Sequence, residues 1–209
     1  PEFTQVDVEA SFITEEDIYS LIEGLFQRMF PLVGIEPPEH FPRLTYDEAM
    51  ERFGSDRPDT RFGLELVDLV ALCEGCGFGI LEAAAASGRV KGLVVPGGAG
   101  FSRKQLDALS DFVKPYGAAG VLWFKRTADG VASPAKKALG DDGVARFLDS
   151  AGAREEDLLL AVGGAPGVVF ASLGALRLHL AREHNLIPVG RHDFLWVTEF
   201  PLLVFDSEE

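Results

Sequence analysis

Residues 90–105 read Val90-Lys91-Gly92-Leu93-Val94-Val95, then Pro96-Gly97-Gly98-Ala99-Gly100, then Phe101-Ser102-Arg103-Lys104-Gln105. The first six are a short apolar run of strand length, and the next five are turn formers. Ser102 followed three residues later by Gln105 has capping-box spacing, which opens a helix running to about Val113. The pattern continues downstream with a strand over 121–125, a helix over 143–150, a strand over 158–162 and a helix over 173–184. Glycine and alanine rise from about Leu66, so a separate α+β module begins near there. A helix preceded by a glycine loop attracts anions. This loop nevertheless lacks the Gly-Lys-Ser/Thr ending of a phosphate loop and the downstream acid of a dinucleotide fingerprint, and Ser102 already explains the cap. Gly163-Gly164-Ala165-Pro166-Gly167 reads as a turn.

Outward from this module, Phe194 to Phe200 returns as a strand. Upstream, Thr14 is an N-cap followed by Glu15, Glu16 and Asp17, where the helix dipole favours negative charge. Ile18, Leu21, Ile22, Leu25, Phe26 and Met29 then fall at helical spacing until Pro31 and Gly34 close the helix. Thr45-Tyr46-Asp47-Glu48 is a second capping box, opening a short helix that ends at Gly54. The tract from Gly54 to Phe62 is polar and turn-rich, and its Arg57 and Arg61 are the densest local opportunity for phosphate contact.

At the front, Thr4, Val6, Val8, Ala10 and Phe12 alternate with Gln5, Asp7, Glu9 and Ser11, which predicts a strand over 4–12 with Gln5, Asp7 and Glu9 in a row on its polar face. Same-face neighbours lie roughly 6.5–7 Å apart, so that row reads either as a solvated face or as a floor for an ammonium-bearing ligand.

Composition narrows the classes. With 33 acidic against 19 basic residues the chain carries −14, which argues against general nucleic-acid binding, since phosphate neutralisation needs clustered Lys and Arg. Arg103-Lys104 and Lys136-Lys137 are the basic pairs the module offers. Two cysteines cannot build a disulfide framework, and no apolar stretch reaches eighteen residues, so a reducing cytoplasm is expected. Cys73-Glu74-Gly75-Cys76 is a lone pair without the further ligands zinc needs, which points to small buried thiols. His179 and His184, five apart, fall on different helix faces. No metal site, and no complete catalytic apparatus, is read from the residues themselves.

The stretch Pro1-Glu2-Phe3-Thr4-Gln5-Val6-Asp7-Val8-Glu9, with Ser11-Phe12, resembles the second half of motif 2 in bacterial-type aspartyl-tRNA synthetases, a class II family. Tyr46-Asp47-Glu48-Ala49-Met50, Arg52-Phe53-Gly54-Ser55-Asp56-Arg57-Pro58-Asp59 and Arg61-Phe62-Gly63-Leu64-Glu65-Leu66 are similar to the next signature of that family. Val95-Pro96-Gly97-Gly98-Ala99, Ser102-Arg103-Lys104-Gln105, Phe112-Val113-Lys114, Tyr116-Gly117-Ala118 and Gly174-Ala175-Leu176-Arg177-Leu178 resemble the GAD insertion domain, a module shared with one subunit of tRNA-dependent amidotransferases. Leu195-Trp196-Val197 and Glu199-Phe200-Pro201 resemble the strand that re-enters the catalytic sheet.

The resemblance implies an α+β fold: part of the class II antiparallel catalytic sheet over 1–66, a GAD-like insertion over 67–188, and a return to the catalytic domain over 189–209. Motif 1, the first strand of motif 2, motif 3 and the anticodon-binding domain are not found, so the chain is expected to be an internal fragment of a longer enzyme, inactive alone and without catalytic residues of its own. The implied parent reaction is ATP-dependent activation of aspartate, with Mg²⁺ accompanying ATP, and transfer to tRNA(Asp), with tRNA(Asn) left open as a second acceptor. By motif match Asp7 accepts the substrate's α-ammonium, Gln5 orients it, and Glu9 lines the pocket or braces a neighbouring basic residue. A homodimeric parent is implied. The alternative is a non-catalytic RNA-associated or scaffolding module of GAD type.

Overall fold

The computed structural model describes residues 2–203. In chain order its elements are α1 (Glu15–Met29), β1 (Arg43–Thr45), α2 (Tyr46–Phe53), β2 (Leu66–Asp68), α3 (Val70–Cys73), α4 (Gly79–Ser87), β3 (Arg89–Val95), α5 (Arg103–Val113), β4 (Leu122–Thr127), β5 (Gly130–Ala132), α6 (Lys136–Ser150), β6 (Leu158–Gly164), α7 (Pro166–Glu183) and β7 (Trp196–Thr198). Contacts divide them into two units: one holds the residues up to Arg43 with His192–Trp196, the other Leu44–Arg191 with the described residues from Val197 onward.

In the smaller unit α1 starts where the sequence predicts. The Thr14 backbone N–H and hydroxyl both donate to Asp17 Oδ2, at 2.7 and 2.8 Å. A 3₁₀ turn over Phe30–Val33 ends at Gly34, which takes the left-handed conformation (φ 77°). Phe26 meets Phe30, Phe41 and Phe194 at centroid distances of 5.0, 5.9 and 6.2 Å, and Phe41 stacks on Phe194 at 5.1 Å. Beside them lies buried Glu23, which accepts from Trp196 Nε1 (2.9 Å), the Phe41 backbone N–H (3.1 Å) and His40 Nδ1 (3.2 Å). Burial pushes this carboxyl up, but the hydrogen bonds outweigh it and hold its pKa below the ordinary value.

The larger unit is built on a five-stranded sheet in the order β2-β3-β6-β4-β5, with every neighbouring pair antiparallel. Its centre is the β3–β6 ladder, running from Arg89 opposite Gly164 to Val95 opposite Leu158. Leu158, Leu160 and Val162 face α5 and α7, while Leu159 and Ala161 face the opposite core with Cys73, Leu81 and Phe147. A strand covered on both faces has no polar side, which is why 158–162 is continuously apolar in sequence. This antiparallel sheet with its covering helices is the expected α+β architecture.

Three readings need correction. No strand forms over 4–12: residues 2–14 hold no regular secondary structure, residues 2–18 are exposed, and Phe12 takes a positive φ of 59°. Period-2 alternation marks a chain able to form a strand, but a strand exists only against a ladder partner, and none of the described strands pairs with this segment. The last helix of the module starts at Pro166 rather than 173, with proline in its first turn, where a missing N–H leaves no bond unmade. Finally, α6 begins at Lys136 and is interrupted at Gly140 (φ 71°), so its regular part matches the expected 143–150 only beyond the kink.

Candidate functional site

Gln5, Asp7 and Glu9 sit on the exposed front segment. The amide of Gln5 donates to Asp7 Oδ1 at 2.6 Å, so these two side chains meet on one side of the chain, as alternation requires. Glu9 takes no part in that contact.

The polar tract after α2 is organised from an unexpected direction. Arg57 remains exposed, 3.7 Å from Asp56. Arg61 forms a fork onto Asp59, Nε to Oδ1 at 2.9 Å and a terminal nitrogen to Oδ2 at 2.7 Å, and this pair holds the Asp59 carboxyl below its usual range. The guanidinium that orders the backbone is Arg177 of α7, which is 1% exposed. It donates to the carbonyls of Leu64 (2.9 Å), Asp59 (2.8 Å), Phe62 (3.1 Å) and Gly63 (2.9 Å). Its guanidinium carbon lies 4.1 Å from the Phe62 ring centroid and 4.9 Å from that of Phe53. Burial lowers its pKa to about 10, offset by Asp59 and Glu65, and it stays charged at neutral pH. Sequence reading missed this residue. The available signal was a single cation set among Leu173, Leu176, Leu180 and Ala181 in a helix whose other buried positions are mostly apolar.

The same wall of the larger unit secures α2. Glu51 pairs with both Lys91 and Arg89 of β3, and Arg52 grips Glu65 with two bonds of 2.9 Å. Lys91 is 3% exposed, so Glu51 supplies the charge that its burial demands. The glycine loop binds a carboxylate from within the chain: the Gly97 N–H donates to Asp157 Oδ1 at 2.9 Å, while Oδ2 accepts from the Arg154 N–H at 2.8 Å.

Cys73 is fully buried and its thiol, pushed up by burial, reaches a pKa of about 12, whereas Cys76 is half-buried. Both are free thiols. Among the described residues no three His, Cys, Asp or Glu side chains are grouped to hold a metal, and no helix is long and apolar enough to cross a membrane. Arg103 pairs with Asp107 and Lys136 with Asp141. His179 and His184 differ from their sequence reading. His184 lies just past the end of α7, and both rings border one groove, His179 stacked on Phe112 and His184 on Phe101.

The family model for class II tRNA synthetases (D, K and N) matches residues 1–208. The chain belongs to that family. It is 44% identical over its whole length to an aspartate–tRNA(Asp/Asn) ligase of Halothermothrix orenii, 46% to one of Bacillus cereus and 43% to one of Natranaerobius thermophilus. In each case it spans 36% of the relative's length. This class II segment therefore unites an exposed acidic front, a small aromatic unit and an α+β module whose final helix fixes the polar tract.

Proposed function

We propose that the chain is part of an aspartate–tRNA ligase, an enzyme that activates aspartate with ATP and transfers it to tRNA. The observation that supports this is identity of 43–46% across all of its residues to relatives bearing that name. In this reading residues 1–66 and 189–209 belong to the catalytic domain and 67–188 to a GAD-like insertion. Asp7 accepts the α-ammonium of aspartate through a charge-assisted hydrogen bond, Gln5, whose amide already meets the Asp7 carboxylate, helps orient it, and Glu9 lines the pocket or braces a neighbouring basic residue. A bond of this kind contributes on the order of 1.5–3 kcal/mol, enough to set which end of the zwitterion faces the phosphate. Attack by one anion on another is helped chiefly by positioning and by cations that offset developing charge.

ATP and Mg²⁺ are the expected partners of that step. Among the described residues no three His, Cys, Asp or Glu side chains are grouped to hold a metal, and none is assigned as a Mg²⁺ ligand. The acceptors are tRNA(Asp) and tRNA(Asn), the parent is a homodimer, and it works in the cytoplasm. The test is aspartate-dependent exchange of pyrophosphate into ATP by the complete polypeptide that carries this chain, followed by charging of each tRNA. Exchange with aspartate and not with asparagine or lysine is expected, and exchange with either of those instead would overturn the assignment.

A further inference from the structure

The turn Cys73-Glu74-Gly75-Cys76 leads from the end of α3 toward α4. Glu74 sits at φ −65° and ψ 118°, Gly75 at φ 62°, and the Cys76 N–H donates to the Cys73 carbonyl at 3.3 Å. These values describe a type II turn, which takes glycine or asparagine at its third position because φ is positive there. The first and last Cα atoms of such a turn lie within about 7 Å of each other, and disulfides span about 4.4–6.8 Å between Cα atoms. Distance is half of the requirement, since the two side chains must also point the same way. They do: Cys73 is wholly buried in the core cluster it shares with Leu69, Leu81 and Phe147, and Cys76 packs against that same cluster.

The present partners of the two thiols are weakly held. Cys73 Sγ donates to the Leu69 carbonyl at 3.2 Å and Cys76 Sγ to the Phe78 carbonyl at 3.9 Å, and S–H is a weak donor, so little is given up when both hydrogens leave. Cys76 is also among the groups that push the Cys73 pKa up, the electrostatic mark of sulfurs held near each other. Nothing in the ligase reading uses either thiol.

We propose that Cys73 and Cys76 are a redox modification site, closing a reversible disulfide across this turn on exposure to a small-molecule disulfide. Half-buried Cys76 reacts first: its thiolate attacks glutathione disulfide, a Cys76–glutathione bond forms as the glutathione sulfur–sulfur bond breaks, and one glutathione thiolate leaves. Cys73 then attacks the Cys76 sulfur, and its proton goes to the second departing glutathione thiolate. Two protein thiols are oxidised and one glutathione disulfide is reduced to two glutathiones. Because burial keeps Cys73 protonated, this second step is the slow one.

The test incubates the complete polypeptide that carries this chain with glutathione disulfide, quenches it in acid and weighs its peptides. The peptide holding both cysteines should first gain a glutathione and then end two hydrogens lighter than its dithiol. Cys73→Ala should stop at the adduct on Cys76, and Cys76→Ser should leave Cys73 reduced. The equilibrium constant for ring closure against glutathione should be at least tenfold larger in the native protein than in urea, where the turn is lost. A side chain at Gly75 meets no atom within 4 Å, so its substitutions act through backbone conformation alone. Gly75→Val should lower the native constant about tenfold, while Gly75→Asn, which tolerates positive φ, should stay within about threefold. A wild-type protein that stops at the adduct, bonds between two molecules, or closes the ring no better natively than in urea would overturn the proposal, as would an unchanged constant in Gly75→Val. The readout is a mass and not pyrophosphate exchange, so this site and the ligase reading stand or fall separately.

Discussion

Gly174 of α7 and Gly54 after α2 touch backbone to backbone. A methyl group on Gly174 would lie 2.5 Å from the Gly54 carbonyl oxygen, and one on Gly54 would lie 2.5 Å from that of Phe170. Neither obstacle is a side chain that can swing aside. Gly174→Ala is therefore expected to destabilise the chain by about 1–3 kcal/mol, read as a lowered urea midpoint at unchanged slope. Gly24→Ala, at an open site in α1, should not lower it.

Truncating Arg177 strands four carbonyls that fold around its guanidinium. Hydrogen bonds to a charged group contribute about 1.5–3 kcal/mol each before reorganisation, so Arg177→Met should cost at least about 3 kcal/mol in chemical denaturation. Arg177→Lys keeps the charge without the planar fork and should recover less than half of the loss. Full recovery by lysine would show that charge alone, and not the geometry of the fork, orders the tract.

Glu23 makes the small unit acid-sensitive. Its folded pKa lies below the ordinary 4.5, so the stability it supplies is present above that value and is lost as pH falls through the folded one. Trp196 reports directly, because its indole N–H donates to this carboxylate. Indole fluorescence should shift below about pH 4.5 and the shift should disappear in Glu23→Gln. A shift that persists in the variant would place the sensitivity elsewhere.

The two thiols should separate chemically. Thiolate is the reactive form, and a buried thiol with a pKa of about 12 is almost wholly protonated at pH 8. Iodoacetamide on the native chain should label Cys76 and spare Cys73, and both should react in denaturant, as counted by mass spectrometry of peptides.

In the complete polypeptide, Asp7→Asn should raise the aspartate KM for pyrophosphate exchange at least tenfold and leave the ATP KM within about twofold, as expected from loss of one charge-assisted bond. An unchanged aspartate KM would remove Asp7 from the pocket.

Much of the fold was legible because its signals are local. Thr14 with Asp17, Thr45 with Glu48, and Ser102 with Gln105 mark helix starts through contacts three residues apart, and all three helices begin there. The runs that became β3, β4 and β6 are apolar enough to be read directly. What escaped depends on distant partners. The three-residue strands β2 and β5 exist only through their neighbours. The alanine-rich α4 carries no two-sided pattern to betray it. Segment 4–12 shows the opposite failure, a strong pattern without a ladder. Of the site, a resemblance suggested Gln5, Asp7 and Glu9, while Arg177 and the paired histidines emerge only from packing over more than a hundred residues or between two helices.

The hydrogen bond from Trp196 to Glu23 joins residues separated by 173 positions. On the ribosome, the phenylalanines between 26 and 41 are made long before the ring at 194 and the indole at 196 that complete their cluster. At about 5–20 residues per second that interval is about 8–30 s. The nascent polypeptide thus presents an unfinished greasy surface while the whole α+β module is being translated, an opening for chaperones and a reason for the module to collapse promptly.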